Sequence, residues 1–202
     1  MVERRAATRR RRLRQHADAG GFYIDWPDGP AWETVVAEEL PAHLVAAHGA
    51  DPTRRAVIGA SMGGYGALKL AFAHPDRYLA AAALSPAVFP GDTAATVPEQ
   101  NRVSVLGDLL AAIEASPGDA LSARLTANAA ALRAEDGPAL FIAVGDHDDF
   151  RLQDGTEHLH RALWDLGVSH EYVVRRGGTH AGPEMFAVQR AALAFIGAAL
   201  AT

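Results

Sequence analysis

The chain contains no cysteine and no long apolar run. Without cysteine it has neither disulfide bonds nor a cysteine nucleophile, although this absence leaves the compartment open. No apolar stretch reaches the roughly 18 residues that a bilayer-spanning helix needs. We therefore expect no membrane span. At 202 residues, 49% of them hydrophobic, the chain suits one domain of ordinary size with a real core.

Basic residues are concentrated at the N-terminus. Residues 1–14 hold seven arginines and one acidic residue, which leaves the remainder of the chain distinctly acidic. The arginine run has no interleaved aromatic residues, and no apolar region of a signal peptide follows it. We expect a disordered segment at 1–20, a single domain at 21–202, no nucleic-acid partner and a cytoplasmic location.

The most informative motif lies at residues 55–66. An apolar run, Ala56 to Ile58, meets Gly59-x-Ser61-x-Gly63, and a helix-like segment follows. The order strand, sharp turn, helix is that of a nucleophile elbow. Ser61 is the candidate nucleophile at the N-terminus of the helix, where free N–H groups favour negative charge. The backbone N–H of Met62 would then donate to an oxyanion.

A serine hydroxyl needs a base to take its proton and an acid to orient that base. Acidic residues cluster after the apolar run 139–144, which predicts a strand buried on both faces. Catalytic groups of parallel α/β sheets gather at the carboxyl ends of the strands. We choose Asp148 as the acid, with Asp149 as the close alternative and Asp146 third; at least two of the three would only cap a helix or lie in a solvated loop.

The candidate base is His180, the last of nine histidines. It lies in a glycine-rich loop after the predicted strand 171–174 and before a helix that begins near Pro183. Ser61, Asp148 and His180 follow the chain order of the α/β-hydrolase triad. Asp146, His147, Asp148 and Asp149, with His158 and His160, fit no standard zinc spacing, so we expect no metal.

Several motifs together resemble the Putative esterase family, which includes esterase D, S-formylglutathione hydrolases, feruloyl esterases and mycolyltransferases. They are residues 21–26 (Gly-Phe-Tyr-Ile-Asp-Trp), Trp32-Glu33-Thr34, Glu39-Leu40-Pro41, 59–68, His74-Pro75-Asp76, Gly145-x-x-Asp148, Gly167-Val168, His170-Glu171-Tyr172 and Gly178-Thr179-His180. The resemblance covers about residues 21–202. It implies an α/β-hydrolase fold with Ser–Asp–His ester chemistry, and Gly145-x-x-Asp favours Asp148 over Asp149.

The chain departs from this family at its N-terminus. Family members carry several strands before the Tyr-x-Asp-Trp region, and a loop there supplies the second oxyanion N–H. We therefore expect an N-terminally truncated α/β-hydrolase fold, about four parallel strands with helices on both faces, and low activity. The elbow strand would lie at an exposed edge, which the N-terminal segment or a second copy in a homo-oligomer would cover; left uncovered, it should promote aggregation.

The predicted elements are strands at 55–58, 78–84, 139–144 and 170–174 and helices at 32–48, 64–73, 104–115, 119–133, 154–167 and 184–200. Tyr23, Trp26 and Trp32 are candidate pocket residues, because aromatic rings pack well against acyl or aryl groups; such residues are more often ordinary core.

The sequence favours a serine esterase that acts on a small-molecule ester without a cofactor. Two alternatives stay open. One is a catalytically weak or inactive remnant that serves as an interaction domain, and the other is an acyltransferase that uses the same triad.

Overall fold

Four parallel strands form the centre of the part of the chain that the computed structural model describes, residues 21–26, 29–93, 95–102, 109–111, 113–114 and 116–201. The strands lie in the order β1-β2-β3-β4. Their bounds are Ala56–Ala60, Ala80–Leu84, Ala139–Gly145 and Glu171–Arg175. The prediction of four parallel strands is therefore confirmed, with each end displaced by two residues at most.

The register of the sheet brings the ends of the strands together. Ala60 pairs with Leu84, and Leu84 pairs in turn with Ala143. Gly145 pairs with Arg175 at the end of β4. Because all four strands run in the same direction, the segments that follow them begin at one edge of the sheet.

Five longer helical segments accompany the strands in the described part of the chain, in addition to short 3-10 turns and helical residues at 109–111 and 113–114. α1 comprises Trp32–Thr34, Val35–Glu39 and Leu40–His48, and the others are α2 (Met62–Ala73), α3 (Leu121–Leu132), α4 (Leu152–Asp165) and α5 (Phe186–Ala199). They correspond to the predicted helices at 32–48, 64–73, 119–133, 154–167 and 184–200. The predicted segment at 1–20 and most of the predicted helix at 104–115 lie outside the described residues.

α1 is not a continuous α-helix, which the sequence analysis did not predict. Its middle part, Val35–Glu39, is a π-helix. Pro41 follows two residues after Glu39, has no N–H to donate and would crowd the carbonyl four residues earlier. A locally wider turn before Pro41 accommodates the ring, so α1 continues to His48. The left-handed backbone of the next residue, Gly49 (φ 65°), ends it.

Helices cover both faces of the sheet, as predicted. On one face, Ala81, Ala83, Leu140 and Ile142 pack in a large core with residues of α2, α3 and α4. On the other face, residues of α5 pack on Ala80, Ala82, Phe141 and Ala143. The first four residues of β2 are all alanines and are fully buried. These small side chains let the helices on both sides approach the sheet closely.

β1 lies at an edge of the sheet, where β2 is its one partner strand among the described residues. Ile58 at its centre is 40% exposed. A trough of about 500 Å³ runs along this edge between β1 and α1, lined by residues that include Leu40, Leu44 and Val57. The edge predicted for the elbow strand is thus observed, and its cover by a second copy stays a prediction. No helix within the described ranges has the length and apolar character needed to cross a membrane.

Candidate active site

Ser61 occupies the sharp turn between β1 and α2. Its backbone is strained, with φ 53° and ψ −121°, a conformation that few non-glycine residues adopt. Two glycines make the turn possible, because a Cβ on Gly59 would lie 2.2 Å from the backbone carbon of Gly63. The Ser61 N–H donates to the Leu84 carbonyl at 2.9 Å and so ties the turn to β2. Met62, the first residue of α2, leaves its N–H without an intrahelical acceptor.

Asp148 and His180 form a hydrogen-bonded pair at the same edge of the sheet. The distance between His180 Nδ1 and Asp148 Oδ2 is 2.8 Å, and the Asp148 side chain is fully buried. A carboxylate can only accept, so Nδ1 carries the proton of the neutral imidazole and Nε2 keeps a free lone pair. The second carboxylate oxygen of Asp148 accepts the N–H of Phe150 at 2.9 Å. The pair therefore has the arrangement of an acid that orients a base.

The electrostatics of the pair follow from this geometry. The hydrogen bond to Asp148 raises the pKa of His180 above its ordinary value, although partial burial opposes the shift. Burial alone would raise the pKa of Asp148. The hydrogen bonds from His180 and Phe150 outweigh it, so that the pKa is lowered. Asp148 is thus held as a carboxylate that stabilises a protonated imidazole.

The other two carboxylates of the acidic cluster have different contacts. Asp146 accepts the N–H of Gly177 at 2.6 Å and contacts the neighbouring His147 ring. Asp149 accepts the backbone N–H of His180 at 3.3 Å. Both carboxylates therefore hold the loop that carries His180. Of the three, only Asp148 hydrogen-bonds the His180 imidazole.

Two glycines bring the acid loop and the histidine loop together. A Cβ on Gly145 would lie 2.1 Å from the carbonyl oxygen of Gly178. The same carbonyl accepts the N–H of His147 at 2.9 Å. Beyond Gly178, the N–H and hydroxyl of Thr179 both donate to Glu184, at 2.7 and 2.5 Å. The loop before His180 is therefore fixed by the acid loop at Gly178 and by Glu184 at Thr179.

The hydroxyl of Ser61 forms no hydrogen bond with His180 in the described structure, although the turn and the imidazole follow strands that end at the same edge. Contacts between nucleophile and base are often long without substrate and shorten in the reactive complex. The acid and base half of the candidate triad is therefore assembled, and the serine half is held separately by the elbow.

The predicted pocket residues separate into two groups. Tyr23 and Trp32 line a cleft of about 330 Å³ together with Phe22 and Met62. Trp26 is absent from this lining and packs instead against the large core. The cleft reaches the first residue of the elbow helix, so Tyr23 and Trp32 stay candidates for substrate contacts.

Two further residues of this region, Phe150 and Ser85, were not predicted from the sequence. The ring of Phe150 packs edge-on against the His180 ring, with centroids 4.7 Å apart. Ser85, directly after β2, is buried in a left-handed conformation (φ 40°), and its hydroxyl has no partner in the described structure. An aromatic residue directly after an acidic run was the available signal for Phe150. For Ser85 it was a serine at the end of a buried strand.

No three histidine, aspartate or glutamate side chains lie close enough to hold a metal ion within the described part of the chain. His158 and His160 lie on α4. His160 instead hydrogen-bonds His170 at 2.7 Å.

The sequence profile of the family described as Putative esterase matches residues 15–179. The MPT51 antigen of Mycobacterium leprae is 45% identical over 82 residues, which are 38% of this chain and 27% of that protein. The diacylglycerol acyltransferase/mycolyltransferase Ag85A of Mycobacterium ulcerans is 41% identical over 78 residues, 34% of this chain and 23% of its own length. The matched part is thus about a quarter of the length of these relatives.

Solved structures agree in fold. A ferulic acid esterase superposes with a TM-score of 0.69 at 24% identity, covering 88% of this chain and 64% of the esterase. An S-formylglutathione hydrolase from Agrobacterium tumefaciens gives a TM-score of 0.66 at 22% identity, with 89% and 63% coverage. The four-stranded sheet and its helices therefore form part of an α/β-hydrolase fold.

Proposed function

The chain belongs to the Putative esterase family, and on this premise we propose that it is a serine hydrolase that cleaves carboxylic esters through an acyl-enzyme. Ser61 is the nucleophile, His180 the base and Asp148 the acid that orients it. The proposal is supported above all by one observation: a strained serine begins a helix at the same sheet edge where a buried carboxylate holds Nδ1 of an imidazole.

In the first half of the reaction, Ser61 Oγ attacks the ester carbonyl carbon while its proton passes to His180 Nε2. The carbonyl electron pair moves to oxygen, and the Met62 N–H donates to the resulting oxyanion. When the intermediate collapses, the bond to the leaving alcohol breaks and His180 returns the proton to that alcohol. Asp148 stabilises the imidazolium that exists between the two proton transfers.

In the second half, water replaces the alcohol. His180 takes a proton from water as its oxygen adds to the acyl carbon, and the tetrahedral intermediate forms again. Collapse breaks the bond to Ser61 Oγ, which recovers its proton from His180, and the carboxylic acid leaves. No cofactor enters any of these steps.

A fluorophosphonate probe tests the proposal directly, since it forms a covalent bond with an activated serine hydroxyl. We expect stoichiometric labelling of the folded protein, located on Ser61 by peptide mass spectrometry, and none in Ser61→Ala. Ser169→Ala changes an exposed serine and is the matched control. A folded wild-type protein that takes up no label would contradict the proposal and favour an inactive interaction domain.

Acyl transfer to an alcohol is a second candidate function. It is favoured by the similarity to a protein named diacylglycerol acyltransferase/mycolyltransferase. In that reaction an alcohol replaces water in the second half, with the same proton transfers. Partition of one acyl-enzyme between hydrolysis and ester formation, measured against the concentration of a sugar or glycerol acceptor, separates the two. Ester formed faster than free acid would identify a transferase.

A further inference from the structure

Tyr23 is held in an unusual position ahead of α1. Phe22 and Tyr23 are consecutive residues with positive φ, 37° and 54°, in a region that bulky side chains rarely adopt. The turn is closed by a hydrogen bond of 3.0 Å from the Ile24 N–H to the Gly21 carbonyl. Strain of this kind persists only where the surrounding structure enforces it. The surrounding structure therefore holds the Tyr23 backbone in one conformation.

A buried ammonium group anchors this turn to the elbow helix. Lys69, the single lysine of the chain, lies on α2 and is fully buried. Its Nζ donates to the Tyr23 carbonyl at 2.6 Å and lies 3.0 Å from a carboxylate oxygen of Glu33. Glu33 is held in turn by Arg124. Because a buried charge needs such partners, the Tyr23 backbone is tied to the helix that begins at the elbow.

The ring of Tyr23 lies in a seat that glycine provides. A Cβ on Gly66 would fall 2.2 Å from Cδ2 of the ring, so the ring rests directly on the helix backbone. The phenol oxygen lies 3.7 Å from the position that a Cβ would take on Gly63. The hydroxyl is therefore directed along the first turn of α2, towards the residue that follows Met62.

The Tyr23 hydroxyl has no hydrogen-bond partner among the described residues. The Lys69 ammonium binds the backbone carbonyl of Tyr23 and not its side chain. The ring is half-buried, and Tyr23 and Met62 line the same cleft of about 330 Å³. A tyrosine that served as packing alone would need neither a strained backbone nor a buried ammonium on its carbonyl. A fixed O–H donor beside the first turn of the elbow helix is available to a substrate.

We propose that the Tyr23 hydroxyl donates a hydrogen bond to the carbonyl oxygen of the ester as it becomes an oxyanion, beside the Met62 N–H. The inference rests on the proposed function and supplies the second donor that the sequence analysis expected to be missing. The phenol keeps its proton throughout, so no atom is transferred. Loss of one such donor typically lowers the rate about 10²- to 10³-fold.

Tyr23→Phe tests the inference, because it removes one oxygen and leaves the ring on Gly66. We expect kcat for a p-nitrophenyl ester to fall about 100- to 1000-fold, with KM changed less than about threefold. Rates are normalised to the sites that a fluorophosphonate titrates, so that unfolded protein is not counted. Tyr172→Phe, a half-buried tyrosine stacked on His160, is the matched control and should keep full activity.

A second measurement separates an oxyanion donor from a residue that only lines the cleft. A boronic acid adds to the serine and places a negative oxygen in the oxyanion site, so its affinity for Tyr23→Phe should fall by a factor similar to that of kcat. Unchanged kcat, or a rise in KM alone, in a variant that still titrates would overturn the inference and leave the serine hydrolase intact. Wild-type protein without label would overturn both.

Discussion

Alanine in place of Gly66 should destabilise the protein, although alanine normally stabilises a helix. Both Gly66 and Gly197 lie within helices, α2 and α5. Relative to glycine, alanine in a helix interior stabilises by about 0.5–1 kcal/mol. Nothing lies within 4 Å of a Cβ on Gly197, so Gly197→Ala measures this gain free of contacts. Close to the helix end, we expect the lower part of that range.

At Gly66 the same methyl group meets the Tyr23 ring, with Cδ2, Cε2 and Cγ at 2.2, 2.3 and 2.7 Å. The ring cannot move away freely, because the Lys69 ammonium holds the Tyr23 carbonyl at 2.6 Å. Overpacking of this kind costs about 1–3 kcal/mol. After subtraction of the helix gain, we expect Gly66→Ala to lower the free energy of unfolding by about 1–2 kcal/mol.

Urea unfolding followed by far-ultraviolet circular dichroism compares the two variants, with unchanged m values as the condition for converting midpoints into free energies. The two variants should differ by about 2 kcal/mol and lie on opposite sides of the wild type. If Gly66→Ala raised the midpoint as much as Gly197→Ala does, the Tyr23 ring would not occupy the seat described above, and the donor role inferred for it would lose its geometric basis.

Three further predictions concern the site and its anchor. Asp148→Asn should keep the fold and lower kcat by about 10⁴-fold, because an amide no longer holds the imidazole in the productive tautomer; a loss below tenfold in ester hydrolysis would assign the acid elsewhere. The hydrogen bond to Asp148 raises the pKa of His180, so the acid limb of kcat/KM should lie above the ordinary pKa of imidazole. Burial lowers the pKa of His180, and the Phe150 ring covers the imidazole, so Phe150→Ala should move this limb to still higher pH. A limb displaced to lower pH in the pH–rate profile would refute the inference that the Phe150 ring shields the imidazole from water. Lys69→Met leaves Glu33 with one cation fewer and the Tyr23 carbonyl without its donor, and should cost about 3 kcal/mol in urea unfolding; a loss under about 1 kcal/mol would show that the buried pair contributes little.

The strands and the elbow could be predicted because their signals are local. The run Ala139 to Val144 is apolar at every position, and the strand that forms there is almost entirely buried. Gly59 and Gly63 flank a serine that then takes the strained conformation of the turn. Where a signal depended on neighbours in the sheet, as at the start of β2, the prediction was two residues early.

The anchor of Tyr23 could not be predicted, because its members are far apart along the chain. Arg124 and Glu33 are separated by 91 positions, and Lys69 by 46 from the carbonyl that it binds. Neither the periodicity of a helix or strand nor a short sequence motif relates residues that are so far apart. One composition signal was present: lysine occurs once among the 19 lysine and arginine residues, so the single lysine marks a position that favours a compact ammonium with three donors.

Tyr23 and the pair formed by Asp148 and His180 are held by different contacts, and a double-variant experiment can measure this independence. Tyr23 is held by Lys69 and α2, whereas Phe150 contacts Asp148 and His180. Because the two share no partner in these contacts, their effects on kcat/KM should multiply, so that Tyr23→Phe with Phe150→Ala equals the product of the single losses within about two- to threefold. Only the variants that carry Phe150→Ala should show the displaced acid limb. The comparison is made on the acid limb, at a pH where Phe150→Ala alone lowers kcat/KM. A double variant no slower there than Tyr23→Phe alone would mean that both side chains act on the same step through one contact, which contradicts a hydroxyl on the substrate oxygen and a ring on the imidazole.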